Sequence, residues 1–408
     1  MTTRRLGALF CFAVVTACSS GSSPNAGAKV DAGTGDAIDL DALDAESLPL
    51  DAYVQAQMDA AKIPGLSAAI VKGGKVVWTG AYGFADLEKR TKVSVDTIFT
   101  LASISKTFTC ATAMHLYEQG KLGLDDDVNG ALPFSLRNPK FPDVPITYRM
   151  LLTHTASIND NYLRIFSLIV AGDSPISMEA FLRAFLLPDG KYWTPDVWDG
   201  AKPGTKYLYS QLGATLVAQA VEKLGGAPFD RQARDAILAP LSMTGDASFR
   251  LADVDVSRVA TPYVYLSTKG QVPQAPWGAP FYPAATMHAS APALGKWLAA
   301  LTRKGAYDGG RVLLEATVDE MLKVQDASIN PDQGFFAQWR TVNGERVVGH
   351  GGSAPGVSTT MFFRPSDGVG VITLTNSDVH LRVSDDHDAV NAAYEAIEAR
   401  LFHESARY

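Results

Sequence analysis

The sequence has few cysteines and histidines and lacks the common motifs that bind zinc or nucleotide phosphates. Its 408 residues include three cysteines and seven histidines, and these are not grouped with one another or with carboxylates as in metal sites. The patterns G-x-x-x-x-G-K-[ST], G-x-G-x-x-G, H-E-x-x-H and G-x-S-x-G are also missing. The sequence therefore predicts no metal site, no organic cofactor and no nucleotide-dependent chemistry.

Charge and long hydrophobic runs are scarce as well. Charged residues make up 19% of the chain, and its net charge at pH 7 is −7. Nucleic acids are bound by neutralising their phosphates with lysine and arginine, so this acidic balance predicts no nucleic-acid partner. After residue 20, no apolar run reaches the roughly 18 residues that a membrane-spanning helix needs. The hydrophobic fraction of 47% is enough for a sizeable core, so we expect a folded body.

The N-terminus has the pattern of a bacterial export signal. Arg4 and Arg5 precede the apolar run Leu6–Val15. A run of this length suits a signal peptide and is too short to span a bilayer. We therefore predict a signal peptide over residues 1–17 and export from the cytoplasm.

A lipid anchor is predicted where this signal ends. The segment Val15-Thr16-Ala17-Cys18 resembles the lipobox of bacterial lipoproteins, in which the cysteine becomes the lipidated first residue. The stretch that follows is rich in serine, glycine, alanine and aspartate, which is typical of a flexible linker. We predict lipidation at Cys18 and a tether over residues 18–47, which would hold the protein at the membrane of the cell envelope. The alternative is ordinary signal cleavage nearby, with Cys18 incidental.

The folded body has strand patterns near both of its ends and helical patterns between and outside them. Three pairs of β-rich runs flank turn-forming residues and predict hairpins: 66–71 with 75–78, 336–342 with 346–350, and 357–364 with 369–375. Apolar residues at three- and four-residue steps and related signals predict helices over 50–61, 103–119, 178–187, 212–224 and 390–401. We therefore predict an α/β (α+β) fold in which both chain ends form one antiparallel sheet flanked by helices. A mainly helical lobe is inserted over roughly 121–290, all within one domain over 48–408.

One short motif can support nucleophilic catalysis, namely Ser103-Ile104-Ser105-Lys106. At the start of a helix, residues three apart share a face, so the Lys106 amine can reach the Ser103 hydroxyl. A serine nucleophile needs such a neighbouring base. With 27 serines and 17 lysines in 408 residues, however, chance gives about one S-x-x-K, and the sequence has one. The spacing alone leaves open a capped helix with an exposed lysine.

The surrounding sequence gives this motif a family context. Five segments follow one another in the order of a known family: 63–67 (IPGLS), 97–108 (TIFTLASISKTF), 151–155 (LLTHT), 203–210 (PGTKYLYS) and 349–352 (GHGG). With them the chain resembles the serine β-lactamase and penicillin-binding superfamily over roughly residues 50–375. The resemblance is to the branch with class C β-lactamases, D,D-peptidases, D-aminopeptidases and related esterases. It implies a β-lactamase/transpeptidase-like fold and a serine hydrolase.

The resemblance also implies roles for individual residues. Ser103 is the nucleophile, Lys106 is its partner, and Tyr209 is a second base or proton shuttle. The backbone N–H groups of Ser103 and Ser353 form the oxyanion hole. His154, in the third segment, is predicted to have a structural role in its turn.

Two positions depart from the family pattern. Gln211 replaces the asparagine of the family's Y-x-N motif and is one methylene longer, which leaves its reach to Lys106 or to a substrate carbonyl open. The fifth segment corresponds to the family's third catalytic motif. His350-Gly351-Gly352 stands there in place of the K-T-G found in many relatives. A mostly neutral imidazole lacks the fixed positive charge that would hold a substrate carboxylate.

The predicted function is therefore an exported serine hydrolase that forms an acyl-enzyme on Ser103. Its substrate is expected to be an ester or another small acyl or amide compound. The alternatives are a D,D-peptidase, D-aminopeptidase or β-lactamase, or a non-catalytic penicillin-binding-like sensor domain. The sequence does not indicate an oligomeric state.

Overall fold

A seven-stranded antiparallel sheet, built from both ends of the body, lies at the centre of the fold. The computed structural model describes residues 48–382, 384 and 386–408, so the predicted signal peptide, Cys18 and the linker lie outside the described residues. The strands of the described part are, in chain order, β1 (Gly65–Lys72), β2 (Lys75–Asp86), β3 (Thr91–Lys92), β4 (Phe99–Thr100), β5 (Val170–Ala171), β6 (Ala247–Ser248), β7 (Tyr263–Leu266), β8 (Gly270–Pro273), β9 (Trp277–Gly278), β10 (His288–Ala289), β11 (Ala306–Tyr307), β12 (Gly310–Arg311), β13 (Gln338–Val342), β14 (Glu345–Ala354), β15 (Val357–Arg364) and β16 (Val369–Thr375).

The order of strands in the main sheet is β13-β14-β15-β16-β1-β2-β3. β16 pairs with β1, so the C-terminal hairpins continue directly into the N-terminal one. This confirms the predicted sheet from both chain ends. The three predicted hairpins are present, and β15 and β16 have the predicted bounds.

Turn chemistry explains why these hairpins form where they do. Asn343 and Gly344 have φ angles of 51° and 78°. Two-residue hairpin turns need positive φ at both positions, which asparagine and glycine tolerate better than other residues. Gly73 and Gly74, between β1 and β2, likewise have φ angles of 60° and 73°. Local turn residues therefore favour these two hairpins where they occur.

Helices cover both faces of the sheet and form the inserted lobe. In the described part they are α1 (Leu50–Ala60), α2 (Ser105–Glu118), α3 (Tyr148–Leu152), α4 (Tyr162–Phe166), α5 (Met178–Leu186), α6 (Gln211–Gly225), α7 (Phe229–Ala233), α8 (Tyr282–Ala285), α9 (Ala291–Thr302), α10 (Glu315–Leu322) and α11 (His387–Glu404). Among these described helices, none combines the length and apolarity required to cross a bilayer.

The alternation of side chains along β1 divides the core into two layers. Leu66, Ala68 and Ile70 belong to the apolar cluster shared with α1 and α11. Ala69 and Val71 belong to the larger cluster on the other face, where α9 packs against the sheet. Because strand residues point alternately to opposite faces, a strand buried on both sides is apolar throughout, as β1 is.

The lobe consists of α3 to α8 with short strands between them, and it packs against α2. α6 and α8 contact α2, and every residue of α2 from Ser105 to Met114 is buried. The sheet contributes β14 and β15, which contact the short 3₁₀ segment Ala102–Ile104 in front of α2. The start of α2 therefore lies where the lobe meets the sheet. Two-residue strands such as β5 and β9 were not predicted, because such short pairings have no periodicity to detect.

Candidate active site

Ser103 lies in a constrained turn at the junction of the lobe and the sheet. The residue before it, Ala102, is buried and has a φ of 47°, which is uncommon for a residue with a side chain. The N–H of Leu101 donates to Met287 O at 2.7 Å, and Leu101 O accepts from Thr359 Oγ1 at 2.9 Å. Tertiary hydrogen bonds therefore hold this conformation, and backbone strain of this kind is often found at functional sites.

Lys106, one turn further along, is completely buried and has three polar contacts. Its Nζ is 3.2 Å from Ser103 Oγ, 2.6 Å from Gln211 Oε1 and 2.9 Å from the carbonyl oxygen of Ala284. Burial lowers the pKa of Lys106 to about 7, although the negative charge of Asp160 raises it. The amine is therefore beside the hydroxyl, as the sequence predicts, and a large fraction of it is neutral near pH 7.

Tyr209 lies beside both Lys106 and Ser103. Its ring centroid is 4.7 Å from Lys106 Nζ, and its hydroxyl is buried without a hydrogen bond. Burial raises the pKa of Tyr209 well above its usual value, although the nearby Ser103 lowers it. The phenol is therefore protonated near neutral pH, and its ring packs against the cationic form of the lysine.

The longer side chain of Gln211 does reach Lys106. Gln211 is the first residue of α6, and the side chain of Ser210 caps this helix by accepting from Gly213 N at 2.8 Å. The cap fixes the direction in which the Gln211 amide leaves the helix. The question that the sequence left open is answered by the 2.6 Å contact with Lys106.

The third motif lies on β14, beside the Ser103 turn. A side chain at Gly352 would lie 2.2 Å from both Leu101 O and Thr359 Oγ1, so only glycine lets β14 approach this closely. Ser353 is the next residue and pairs with Ser358 of β15. Close packing at Gly352 therefore brings Ser353 next to the turn that carries Ser103.

His350 is buried and neutral. Its Nδ1 is 2.5 Å from Gly351 O, and since a carbonyl oxygen only accepts, Nδ1 carries the proton. Burial and the charge of Lys106 lower the pKa of His350 to about 3. The third motif therefore places no positive charge in the site at neutral pH.

Two side chains that sequence reasoning did not assign to the site contact the Tyr209 segment. Asp160 accepts hydrogen bonds from Ser210 Oγ at 2.7 Å and from Gln211 N. His154 accepts from Ser210 N at 3.1 Å, and its ring centroid is 4.4 Å from that of Tyr209. His154 therefore contacts the segment that carries Tyr209 through both a hydrogen bond and ring packing. No sequence pattern marked Asp160, which lies in a loop.

The described residues hold no group of three or more histidines, cysteines and carboxylates that could bind a metal ion.

Comparison with known proteins identifies the family. The family model described as Beta-lactamase matches residues 50–395, so the chain belongs to the Beta-lactamase family. Protein flp of Staphylococcus aureus (strain N315) is 25% identical over 330 residues, which are 80% of this chain and 62% of that protein. The chain thus spans less than two thirds of the length of this relative.

Solved structures show the same fold. The D-amino acid amidase from Ochrobactrum anthropi SV3, complexed with D-phenylalanine, matches with a TM-score of 0.67 and 20% identity, over 87% of this chain and 99% of that one. EstCE1, described as a hydrolase with promiscuous acyltransferase activity, matches with a TM-score of 0.64 and 22% identity, over 86% and 98%. The predicted β-lactamase/transpeptidase-like fold and the resemblance to this superfamily of hydrolases are confirmed.

Proposed function

We propose that the protein is an exported serine hydrolase that forms an acyl-enzyme on Ser103. The observation that carries the proposal is the completely buried Lys106, with Nζ 3.2 Å from Ser103 Oγ and a pKa lowered to about 7. A buried lysine with such a pKa can exist as a neutral base near physiological pH. A capped helix with an exposed lysine, the alternative left open by the motif, does not have this geometry.

The contacts of Lys106 favour it as the base in the first step. Its two other partners, Gln211 Oε1 and Ala284 O, are acceptors and take N–H hydrogens. A neutral amine has two N–H groups and one lone pair, so the lone pair is left for the Ser103 hydroxyl. Tyr209, whose high pKa keeps it protonated, then acts as a proton shuttle toward the leaving group.

The developing oxyanion would be stabilised by the backbone N–H groups of Ser103 and Ser353. This role is supported by the tight packing at Gly352, which brings the two backbones together. Preorganised donors of this kind usually give the largest electrostatic contribution to acyl transfer.

The substrate class follows from the charge of the site. His350 is neutral, and the Lys106 amine is buried and already has three polar partners. A substrate carboxylate would find no free cation among these groups, so we propose esters or small uncharged acyl compounds as substrates. Amides of D-amino acids are the second candidate, because a D-amino acid amidase shares the fold.

A substrate panel tests this proposal. We expect the purified protein to hydrolyse short p-nitrophenyl esters with a kcat/KM at least about tenfold above that for nitrocefin, which carries a carboxylate. D-Phenylalanine amide distinguishes the second candidate. The Ser103→Ala variant is the control for contaminating hydrolases. Faster turnover of nitrocefin than of every ester would contradict the proposed substrate class, and no turnover of any compound would favour the sensor alternative.

The proposal also includes a lipid anchor at Cys18, supported by the sequence Val15–Cys18 and the polar stretch that follows. Expression of the full chain in a bacterial host fed an alkyne palmitate analogue should label the protein. The Cys18→Ala variant should lose the label and leave the membrane fraction. Persistent labelling of this variant would show that the cysteine is incidental.

A further inference from the structure

Asp160 is a buried carboxylate bound to the segment that carries Tyr209 and Gln211. It lies in the loop before α4, with 8% of its surface exposed. Its Oδ1 accepts from Ser210 Oγ at 2.7 Å, and its Oδ2 accepts from the backbone N–H of Gln211. The N–H of Leu212 lies 3.5 Å from Oδ1. The start of α6 offsets part of the cost of burying this charge, because its first N–H groups have no partner within the helix.

Hydrogen bonds between uncharged groups also hold the segment that carries Tyr209. Leu208 N donates to His154 O at 2.7 Å, and Tyr162 OH donates to Tyr209 O at 3.0 Å. Tyr209 and Gln211 flank Ser210, and both contact Lys106. Asp160 therefore holds Tyr209 and Gln211 next to Lys106 by binding Ser210, the residue between them in the sequence.

The charge of Asp160 also acts on the catalytic groups over a distance. It raises the pKa of Lys106, against the larger effect of burial, and it raises the pKa of Tyr209. Burial raises the pKa of Asp160 itself to about 6, although its hydrogen bonds and Lys106 lower it. The titratable groups around this part of the site are Lys106, Tyr209, Tyr162, Tyr207, His154 and His350, of which the two histidines are neutral at pH 7 because burial lowers their pKa values.

We propose that Asp160 is a positioning residue with two effects on the reaction. First, it holds Tyr209 and Gln211 against Lys106 through Ser210 and the start of α6. Second, its negative charge sets the pH below which the catalytic centre at Ser103 loses activity. The proposal rests on the proposed function, in which Ser103 is acylated with Lys106 and Tyr209 as proton-transfer groups. A residue that only capped α6 would affect stability and would leave the pH dependence of catalysis unchanged.

The Asp160→Asn variant separates charge from shape. Its amide oxygen can accept from Gln211 N, and its NH₂ group can donate to Ser210 Oγ, so the two short contacts have replacements and only the 3.5 Å contact with Leu212 N is lost. Loss of the negative charge lowers the pKa of both Lys106 and Tyr209. We therefore expect the acid limb of kcat/KM against pH, measured with a p-nitrophenyl ester, to move down by about 0.5–1 pH unit. The direction is the same whichever of the two groups takes the serine proton.

Two further variants complete the test. Asp378 is also buried, accepts a backbone N–H, that of Tyr265, at 3.1 Å, and lies 3.9 Å from the guanidinium of Arg382. Asp378→Asn removes a buried negative charge elsewhere and should leave the acid limb in place. Ser210→Ala removes the hydroxyl contact of Asp160 and, with it, the Ser210 cap on α6. It should lower kcat about tenfold, and its acid limb should move less than that of Asp160→Asn, because the carboxyl group is still present. If Asp160→Asn does not fold, Ser210→Ala tests the positioning role. A Ser210→Ala variant with the wild-type kcat would show that Asp160 does not position the segment.

The outcomes distinguish this role from the proposed function. If wild-type Ser103 is labelled by a fluorophosphonate while Asp160→Asn has the wild-type acid limb, the role of Asp160 is wrong and the proposed function stands. If wild-type Ser103 is not labelled and no ester is hydrolysed, the proposed function is wrong and the role of Asp160 falls with it. A shifted limb in Asp160→Asn together with an unshifted limb in Asp378→Asn supports the proposal.

Discussion

Replacing Lys106 with methionine should lower kcat/KM for esters by about 10²- to 10⁴-fold, the range expected for loss of a general base. Methionine fills most of the buried space without the amine, so the loss reports chemistry rather than a cavity. In the wild-type protein, kcat/KM should rise with pH toward a plateau above about 7, because the Lys106 amine must be neutral to accept the proton. The measurement is steady-state hydrolysis of a p-nitrophenyl ester between pH 5 and 9.

Lys296→Met is the matched control for this change. The Lys296 amine donates to the carbonyl oxygen of Ser242 at 2.6 Å in an exposed setting, so this variant loses a comparable contact away from the site. It should retain wild-type activity. Lys106→Met with more than a tenth of wild-type kcat/KM would mean that another group takes the Ser103 proton.

Gly352→Ala should damage both stability and activity. Its methyl group would lie 2.2 Å from Leu101 O and Thr359 Oγ1, so β14 must move away from the Ser103 turn. Overpacking of this kind costs about 1–3 kcal/mol or more of the free energy of unfolding. Displacement of Ser353 from the turn should also lower kcat by about 10²-fold, the loss expected for one oxyanion donor. Urea unfolding and ester hydrolysis measure the two effects.

The neighbouring glycine supplies the comparison. A methyl group at Gly351 would have its closest contact at 3.8 Å, with Thr359 O, so Gly351→Ala has space for its side chain. Its free energy of unfolding should stay within about 0.5 kcal/mol of the wild-type value. Equal stability of the two variants would contradict the close approach of β14 to the turn.

The sheet could be predicted from the sequence because local signals determine its hairpins. Asn343-Gly344 adopts the positive φ angles that its residue types favour, and the runs on either side of Pro365–Gly368 form β15 and β16 as predicted. The Ser103–Lys106 spacing likewise brings the two side chains together one turn apart, although Ser103 lies in the 3₁₀ segment before α2. These features depend on residues close together in the sequence.

The remaining parts of the site depend on contacts between distant segments. Ala284 contributes a backbone carbonyl to Lys106, and a backbone group has no sequence signature. Asp160 reaches Ser210 from 50 residues away, out of a loop without periodicity. The reach of Gln211 is set by where α6 begins relative to α2, which the motif alone does not specify. Only the packing of the lobe on α2 brings these groups together.

The central claim is that Ser103 is acylated during turnover, and it is tested most directly by trapping. A short-chain p-nitrophenyl ester should give a burst of p-nitrophenol stoichiometric with enzyme when deacylation is slower than acylation. After reaction with a fluorophosphonate, peptide mass spectrometry should find the adduct on Ser103, and Ser103→Ala should lose burst and adduct together. If Ser103→Ala, free of host esterase, still hydrolysed the ester near the wild-type rate, the acyl-enzyme on Ser103 would be contradicted.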